Sequence, residues 1–210
     1  MGHGRGAAGY HRRLGIRNAS GHTHQVYEVE LKFRVADVAA LERRLISLGA
    51  RLAPPVDQVD RYFGHPARDF AVTDEALRLR RVDDDVAVTW KGPRIDAATK
   101  TRREIELAVA AAGSGATTAA RWTDLLEALG FRPVREVAKR RRLAALDWQT
   151  APVEVAIDHV VGLGDFVEIE MQADATTLET ARGRVESLAH ALGCTAPERR
   201  SYLELLLARD

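Results

Sequence analysis

The fold class of this chain is decided by one stretch near its start, Tyr27-Glu28-Val29-Glu30-Leu31-Lys32-Phe33-Arg34. Charged residues alternate with apolar or aromatic ones along the whole stretch. Because an extended strand sends successive side chains to opposite faces, one face is charged and the other is apolar. The apolar face predicts packing against another element. The charged face predicts contact either with solvent or with a polar interior.

The same alternation recurs along the chain and predicts an antiparallel sheet joined mostly by hairpin-like connections. Strands are predicted over about 25–35, 51–63, 77–82, 86–91, 101–109, 132–147, 151–161 and 165–173. Pro54-Pro55 precedes or interrupts the second of these strands, which favours a place at an edge or a bulge. Asp83-Asp84-Asp85 predicts a tight hairpin turn.

Four amphipathic helices are predicted between and after the strands. The first follows a candidate N-cap at Asp37 and stops at Gly49. The second follows a small-residue linker over residues 110–119 and ends at Gly130. The third carries apolar residues three and four apart from Leu178 to Leu192, and the last runs from Tyr202 to Leu207.

The charged strand faces favour a polar interior over a solvated surface. Their polar positions are nearly all Glu, Asp, Arg and Lys, with few of the uncharged polar residues that usually dilute an exposed face. Both signs of charge occur on several strands, and the helices are numerous enough to cover the apolar face. We therefore predict an α+β fold, a closed antiparallel barrel with a charged lumen and helices packed outside.

A lumen with this composition is suited to triphosphate chemistry. Guanidinium and ammonium groups bind polyanions, whereas carboxylates would repel them unless a divalent cation lies between. Mg²⁺ or Mn²⁺ takes carboxylate ligands and bridges to phosphate oxygens. In the run Lys139-Arg140-Arg141-Arg142 both strand faces are basic, so alternation alone leaves open which pair points inward.

Composition and charge exclude several other classes. Residues 1–24 carry four arginines and no acidic residue, whereas the remainder of the chain is nearly balanced, which argues against a nucleic-acid-binding fold. We interpret this leader as a disordered tail rather than a nucleic-acid arm. No apolar run is long enough for a membrane span and no signal peptide is visible. The single cysteine, Cys194, excludes an internal disulfide and is typical of a cytoplasmic protein.

Six motifs, taken in order along residues 25–208, resemble those of the CYTH superfamily, also called triphosphate tunnel metalloenzymes. The motifs are Glu28-Val29-Glu30-Leu31-Lys32, Leu77-Arg78-Leu79-Arg80, Thr89-Trp90-Lys91-Gly92, Lys100-Thr101-Arg102-Arg103-Glu104-Ile105-Glu106, Lys139-Arg140-Arg141, and the segment from Asp158 to Glu170. The last segment is most similar to the class IV adenylyl cyclase branch. One departure is Arg142-Leu143-Ala144, where relatives often carry an aromatic residue.

The resemblance implies an eight-stranded barrel whose tunnel holds a triphosphate with Mg²⁺ or Mn²⁺, and a homodimer. It places Lys139 and Arg141 inside the tunnel. It implies metal ligands at Glu28, Glu30, Asp158, Glu168 and Glu170. It implies substrate-binding residues at Lys32, Arg78, Arg80, Lys91, Arg102, Lys139 and Arg141. Lys32, Glu30 and Glu170 are the expected catalytic residues.

These residues favour a class IV adenylyl cyclase, which converts ATP into cyclic AMP and pyrophosphate. The alternative is a triphosphatase that hydrolyses thiamine triphosphate, inorganic triphosphate or a nucleoside triphosphate. A polyphosphate-binding module without activity is the least favoured, because a simple anion binder gains little from so many carboxylates. No nucleic-acid or membrane partner is expected.

Deletion of residues 1–23 is expected to leave the melting temperature and the turnover nearly unchanged. The leader lacks apolar periodicity, so little in it can offset an ordering entropy of about 1–2 kcal/mol per residue. Thermal unfolding and steady-state rates of the truncated protein measure this. A folded truncation with about tenfold lower activity, or ~1.4 kcal/mol in barrier, would instead implicate His22 and His24 at the tunnel mouth.

Overall fold

The computed structural model describes residues 27–95, 101–111 and 113–209, so the predicted leader of residues 1–24 lies outside the described chain. The strands and helices follow one another in the order β1 (Tyr27–Arg34), α1 (Val38–Ser47), β2 (Arg51–Leu52), β3 (Val56–Gly64), β4 (Ala76–Val82), β5 (Asp85–Arg94), β6 (Arg102–Ala108), α2 (Gly115–Ala128), β7 (Arg132–Trp148), β8 (Ala151–Val160), β9 (Gly164–Ala173), α3 (Leu178–Ala191) and α4 (Tyr202–Leu207). No described helix combines the length and the apolar character that crossing a membrane requires.

The sheet closes into a barrel through the long strand β7. The antiparallel order is β7-β3-β4-β5-β6-β1-β9-β8, and β8 pairs back to β7. The two-residue β2 also pairs with β7, and Pro54-Pro55 separates it from β3, which pairs with β7 as well. The prolines therefore interrupt one strand, as predicted. The predicted closed, eight-stranded antiparallel barrel is confirmed, because β2 and β3 together occupy one position in the ring.

The charged faces of the strands line the barrel interior. Residues paired directly across an antiparallel ladder point to the same face, and Glu30 pairs with Glu170 while Lys32 pairs with Glu168. Lys32 is only 1% exposed, and Glu30 and Glu170 are buried too. Charged side chains of this kind rarely become so buried in a sheet with one solvated face. The lumen is therefore polar, as predicted.

The apolar faces of the strands are covered from outside by helices. The carboxylate of Asp37 accepts a hydrogen bond from the Ala40 N–H and caps α1, as predicted. Helices α1 and α3 cover the outer face of β1 and its neighbours in one apolar cluster. Helix α2 covers β4 and β5 in a second cluster. Both clusters lie outside the barrel, where a conventional barrel would have its polar face.

Helix α2 begins inside the stretch predicted as a linker. Its first residue is Gly115, and the side chain of Ser114 caps it by accepting a hydrogen bond from the Thr117 N–H. The predicted linker over residues 110–119 is therefore too long. Alanine is the strongest helix former, so small residues that follow a serine cap extend the helix rather than a flexible segment.

Helix α4 closes one end of the lumen with apolar side chains. We call this group the apolar floor, and it consists of Tyr62, Val137, Val160, Leu163, Phe166, Tyr202, Leu205 and Leu206. Its strand members belong to the lumen face, since Val137 pairs with Asp60 and Phe166 pairs with Asp158. The lumen is thus charged along its middle and apolar where α4 enters.

Gly115 and Gly183 provide a matched pair of helical glycines for a packing test. A Cβ on Gly115 would lie 2.3 Å from the Asp83 carbonyl oxygen and 2.6 Å from the Asp84 Cα, both backbone atoms of the β4–β5 turn. Gly115→Ala is expected to lower the free energy of unfolding by about 1–3 kcal/mol, the range for an overpacked site.

The control is Gly183→Ala in α3, where an added Cβ meets no atom within 4 Å. This variant is expected to stabilise the protein by about 0.5–1 kcal/mol, because alanine is the better helix former. Urea unfolding of both variants measures the difference. Equal stabilisation by the two substitutions would contradict the close packing of α2 against the hairpin turn.

Candidate functional site

Three of the predicted metal-binding carboxylates form a cluster in the lumen. Carboxylate oxygens of Glu28, Glu30 and Glu170 all lie within 4.8 Å of one another. Glu28 and Glu30 share a face because they stand two residues apart on β1, and Glu170 lies opposite Glu30 on β9. Hard oxygen ligands converging in this way fit Mg²⁺ or Mn²⁺. The donor set therefore suits the divalent cation that the sequence predicts.

The other two predicted metal ligands, Asp158 and Glu168, both contact the guanidinium group of Arg141. Arg141 donates from Nε to Asp158 Oδ1 at 2.7 Å and from Nη2 to Asp158 Oδ2 at 2.5 Å. The same Nη2 also contacts Glu168. Burial alone would raise the pKa of Asp158, but Arg141 and Lys139 outweigh it and hold that pKa below its ordinary value. The five carboxylates are therefore divided between a three-residue cluster and an Arg141-bound pair.

All seven predicted substrate-binding residues lie on the lumen face. The strand registers show this. Each of the seven is either paired directly with a lumen residue on a neighbouring strand or lies two residues from a lumen residue on its own strand, and both relations keep side chains on one face. The set is Lys32, Arg78, Arg80, Lys91, Arg102, Lys139 and Arg141. The ambiguous basic run on β7 is also placed: Lys139 and Arg141 are buried, whereas Arg140 is exposed and Arg142 reaches Glu42 on α1.

Several lumen cations lie beside carboxylates, on a neighbouring strand or on the same one. Lys91 Nζ contacts Glu104 and lies 3.6 Å from Glu28 Oε1, so this cation lies beside the metal-type cluster. Arg102 Nε lies 3.6 Å from Glu104 Oε1. Lys139 Nζ lies 3.4 Å from Asp158 Oδ2. Lys91 therefore lies beside the acidic cluster, and each of these three cations has a neighbouring acid.

Asp60 is a lumen residue that the sequence analysis did not single out. It accepts two hydrogen bonds from Arg80, at 2.7 Å and 2.9 Å, and one from Gln58 at 2.9 Å. Arg78 Nη1 lies 3.7 Å from Asp60 Oδ2. Burial would raise the pKa of Asp60, but Arg80 and Arg78 lower it well below its usual range. The sequence pattern that could have predicted this place for Asp60 is the alternation of Gln58, Asp60 and Tyr62, but the two prolines before β3 obscured it.

Tyr202 is the second lumen residue that the sequence analysis missed. It comes from α4, yet its hydroxyl donates to Asp158 Oδ2 at 3.0 Å. The ammonium groups of Lys32 and Lys139 lie 4.1 Å and 5.0 Å from the centre of its ring. The sequence analysis predicted only that a short amphipathic helix runs from Tyr202 to Leu207. His159, by contrast, is exposed, and its Nδ1 lies 2.7 Å from Asp165 Oδ1.

Asp60→Asn is expected to destabilise the protein by about 3 kcal/mol at neutral pH, because it leaves buried arginines without their carboxylate. The lowered pKa of Asp60 stabilises the fold above the unfolded-state pKa of about 4, and this contribution is lost as the pH falls. The difference between wild type and variant should therefore shrink below about pH 4. Urea unfolding across a pH series measures it.

The control for this substitution is Asp57→Asn, the same chemical change at an exposed position on the same strand. It is expected to change stability by less than about 0.5 kcal/mol. A similar loss of unfolding free energy in the two variants at pH 7 would contradict the role of Asp60 as the carboxylate that neutralises Arg80 and Arg78.

Comparisons with known proteins agree with this geometry. A Methanocaldococcus jannaschii protein named as a candidate adenylate cyclase is 34% identical over 181 residues, which cover 85% of this chain and 97% of its own. The adenylate cyclase CyaB of Aeromonas hydrophila is 30% identical over 193 residues, covering 89% and 92%. A solved structure of a Pyrococcus horikoshii protein superimposes with a TM-score of 0.75 at 35% identity, covering 87% of this chain and 99% of that one.

The CYTH domain model matches residues 26–202, which is most of the chain and includes every site residue named above. Enzymes of this family depend on a metal ion and act on triphosphate substrates. With the barrel, the relatives and the domain match in agreement, this chain belongs to the CYTH family.

Proposed function

We propose that this protein is a class IV adenylyl cyclase that converts ATP into cyclic AMP and pyrophosphate inside the barrel lumen. The observation that carries the proposal is the cluster of Glu28, Glu30 and Glu170 in the same lumen as several buried cations, of which Lys91 lies 3.6 Å from Glu28. Two relatives at or above 30% identity are named as adenylate cyclases, one of them as a candidate. Both facts favour metal-dependent chemistry on a nucleoside triphosphate.

The acidic cluster would hold Mg²⁺ or Mn²⁺ through Glu28, Glu30 and Glu170. When bound, such an ion supplies positive charge that polarises phosphoryl oxygens and favours ionisation of the attacking ribose 3′-hydroxyl. We assign Asp158 and Glu168 the role of orienting Arg141 towards the phosphates, because both contact its guanidinium group. Their predicted role as further ligands would require them to release that arginine.

The lumen cations would bind and orient the triphosphate. Arginine forks match phosphate oxygens in a bidentate manner, and lysines add compact charges between them. Fixed by their carboxylate partners, these groups stabilise the charge that develops on departing pyrophosphate without having to reorganise. Lys32 lies two residues beyond Glu30 on the same face and would bridge between the acidic cluster and the phosphates.

A triphosphatase is the second candidate, and one observation favours it. Leu143 shares a strand face with Arg141 and pairs with Ala156 on the lumen side, at the place where relatives often carry an aromatic residue. A site for an adenine ring therefore has less to stack against. In a triphosphatase the same lumen would direct a water molecule to the terminal phosphorus and would need no nucleoside contact.

Product analysis separates the candidate activities. The protein is incubated with ATP, tripolyphosphate and thiamine triphosphate, each with Mg²⁺ and with Mn²⁺, and the products are resolved by chromatography. A cyclase yields cyclic AMP and pyrophosphate from ATP as its fastest reaction. Faster release of phosphate from any of the three substrates would establish the triphosphatase, and binding without turnover would indicate a polyphosphate-binding module.

Glu170→Gln is expected to abolish turnover or to raise the metal concentration that half-maximal activity requires, because the amide removes one charge from the acidic cluster. The control is Glu186→Gln on the exposed surface of α3, which should match wild type. A metal titration of activity compares the two variants. Wild-type turnover by Glu170→Gln at ordinary Mg²⁺ concentration would refute the assignment of the metal site.

We further propose that the protein acts in the cytoplasm as a homodimer with no nucleic-acid or membrane partner, and that its domain spans residues 25–208. The nearly balanced charge outside the leader and the single cysteine support this proposal. The resemblance to class IV cyclases supports the dimer.

A further inference from the structure

Tyr202, on the C-terminal helix, lies where three lumen residues meet. We propose that it is a positioning residue, which holds the ammonium groups of Lys32 and Lys139 in the geometry that receives the phosphates. The inference rests on the proposed function, since it takes the lumen as the triphosphate site. It assigns α4 a part in substrate affinity in addition to closing the barrel.

The ring of Tyr202 contacts two lysines at once. Lys32 Nζ lies 4.1 Å from the ring centre and Lys139 Nζ lies 5.0 Å from it. Both distances are within the ~6 Å over which a cation is attracted by the π face of an aromatic ring. All three side chains are buried, so water screens this attraction only weakly. The ring therefore fixes two like charges that would otherwise repel each other.

The hydroxyl of Tyr202 adds a link to the carboxylate side of the lumen. It donates to Asp158 Oδ2 at 3.0 Å, the same oxygen that lies 3.4 Å from Lys139 Nζ. Burial, together with the nearby carboxylates of Glu168 and Asp158, raises the pKa of Tyr202 well above its ordinary value, so the hydroxyl stays a donor. One side chain thus connects Lys32, Lys139 and the Asp158–Arg141 pair.

Lys139 has a partner on each side. Its Nζ lies 5.0 Å from the centre of the Tyr202 ring and 3.4 Å from Asp158 Oδ2. A π face and a carboxylate both attract an ammonium group, so these two contacts together hold the cation in one place.

The position of Tyr202 is itself set by several contacts. It is the first residue of α4, which begins with a capping box between Ser201 and Glu204. Its ring packs edge-on against Phe166 at 5.1 Å between centres. Just before the helix, the Glu198 N–H donates to the Lys32 carbonyl oxygen at 2.7 Å. The helix start is therefore tied to the backbone of the residue whose side chain it positions.

Two substitutions separate the ring from the hydroxyl. Tyr202→Leu removes both, and Tyr202→Phe removes only the hydrogen bond to Asp158. Leu205→Ala is the control, because Leu205 lies in the apolar floor on the same helix and has no polar group to offer the lysines. Calorimetric titration with tripolyphosphate in the presence of Mg²⁺ gives the dissociation constant, and steady-state kinetics on the substrate that wild type turns over give KM and kcat.

Tyr202→Leu is expected to raise the dissociation constant and KM about tenfold, with a smaller effect on kcat, since losing two buried cation–π contacts weakens the placement of two phosphate-binding charges. Tyr202→Phe is expected to raise them about two- to fivefold. Leu205→Ala should lower the melting temperature and leave both constants within about twofold of wild type.

The proposal is overturned if Tyr202→Leu is folded and its constants match those of Leu205→Ala, because Tyr202 would then act through packing alone. If Tyr202→Leu does not fold, unchanged constants for Tyr202→Phe overturn it. Failure of the wild-type protein to bind or turn over any triphosphate is a different result, which refutes the proposed function itself.

Discussion

The barrel depends on mutual neutralisation of charges that are removed from water. A buried ion without a partner is strongly destabilising, and this lumen buries cations on some strands and carboxylates on others, with both on β1. Arg141 is held by Asp158 and Glu168, and Arg80 is held by Asp60. These pairs join different strands, so the sheet has to close in one arrangement for the ions to meet. The ion pairs of the interior thereby favour the same strand arrangement as the apolar clusters outside it.

The same pairing prepares the lumen for an anionic substrate. Each guanidinium group is oriented by a carboxylate before any phosphate arrives, which reduces the reorganisation that binding would require. The acidic cluster of Glu28, Glu30 and Glu170 differs from these pairs because its oxygens converge on one another. A divalent cation held by these residues would relieve that repulsion and would at the same time attract phosphate oxygens. The ion pairs that neutralise buried charges in the fold are therefore the same contacts that orient the lumen side chains for a substrate.

Strand register links the outer core to the inner site. A shift of one residue along β1 would turn Glu28, Glu30 and Lys32 outward and bring Val29 and Leu31 into the lumen. The apolar contacts of β1 and β9 with α1 and α3 resist that shift, because it would expose the whole outer cluster. Helix α4 fixes the lumen at its closed end, where Tyr202 reaches the central lysines and Asp158. Packing on the outside thus holds the ionic groups of the interior in place.

Much of this arrangement is a local property of the chain. The period of two along each strand determined which side chains share a face, and the amphipathic helices indicated that the apolar face would be covered, so the charged lumen could be predicted. Local periodicity also predicted α1 with its cap at Asp37, but it misjudged the start of α2, because small residues after Ser114 are compatible with either linker or helix.

Only the tertiary structure decided which charged side chains meet, because strand order and register arise from contacts between residues far apart in the sequence. The family resemblance implied five carboxylates as metal ligands, and the fold shows that three of them form a cluster while Asp158 and Glu168 contact Arg141. The tertiary structure also brings Asp60 into contact with Arg80, and it places Tyr202 of helix α4 beside Asp158. The alternation along a strand shows which face of the sheet a side chain occupies, whereas closure of the barrel determines which other side chains it contacts.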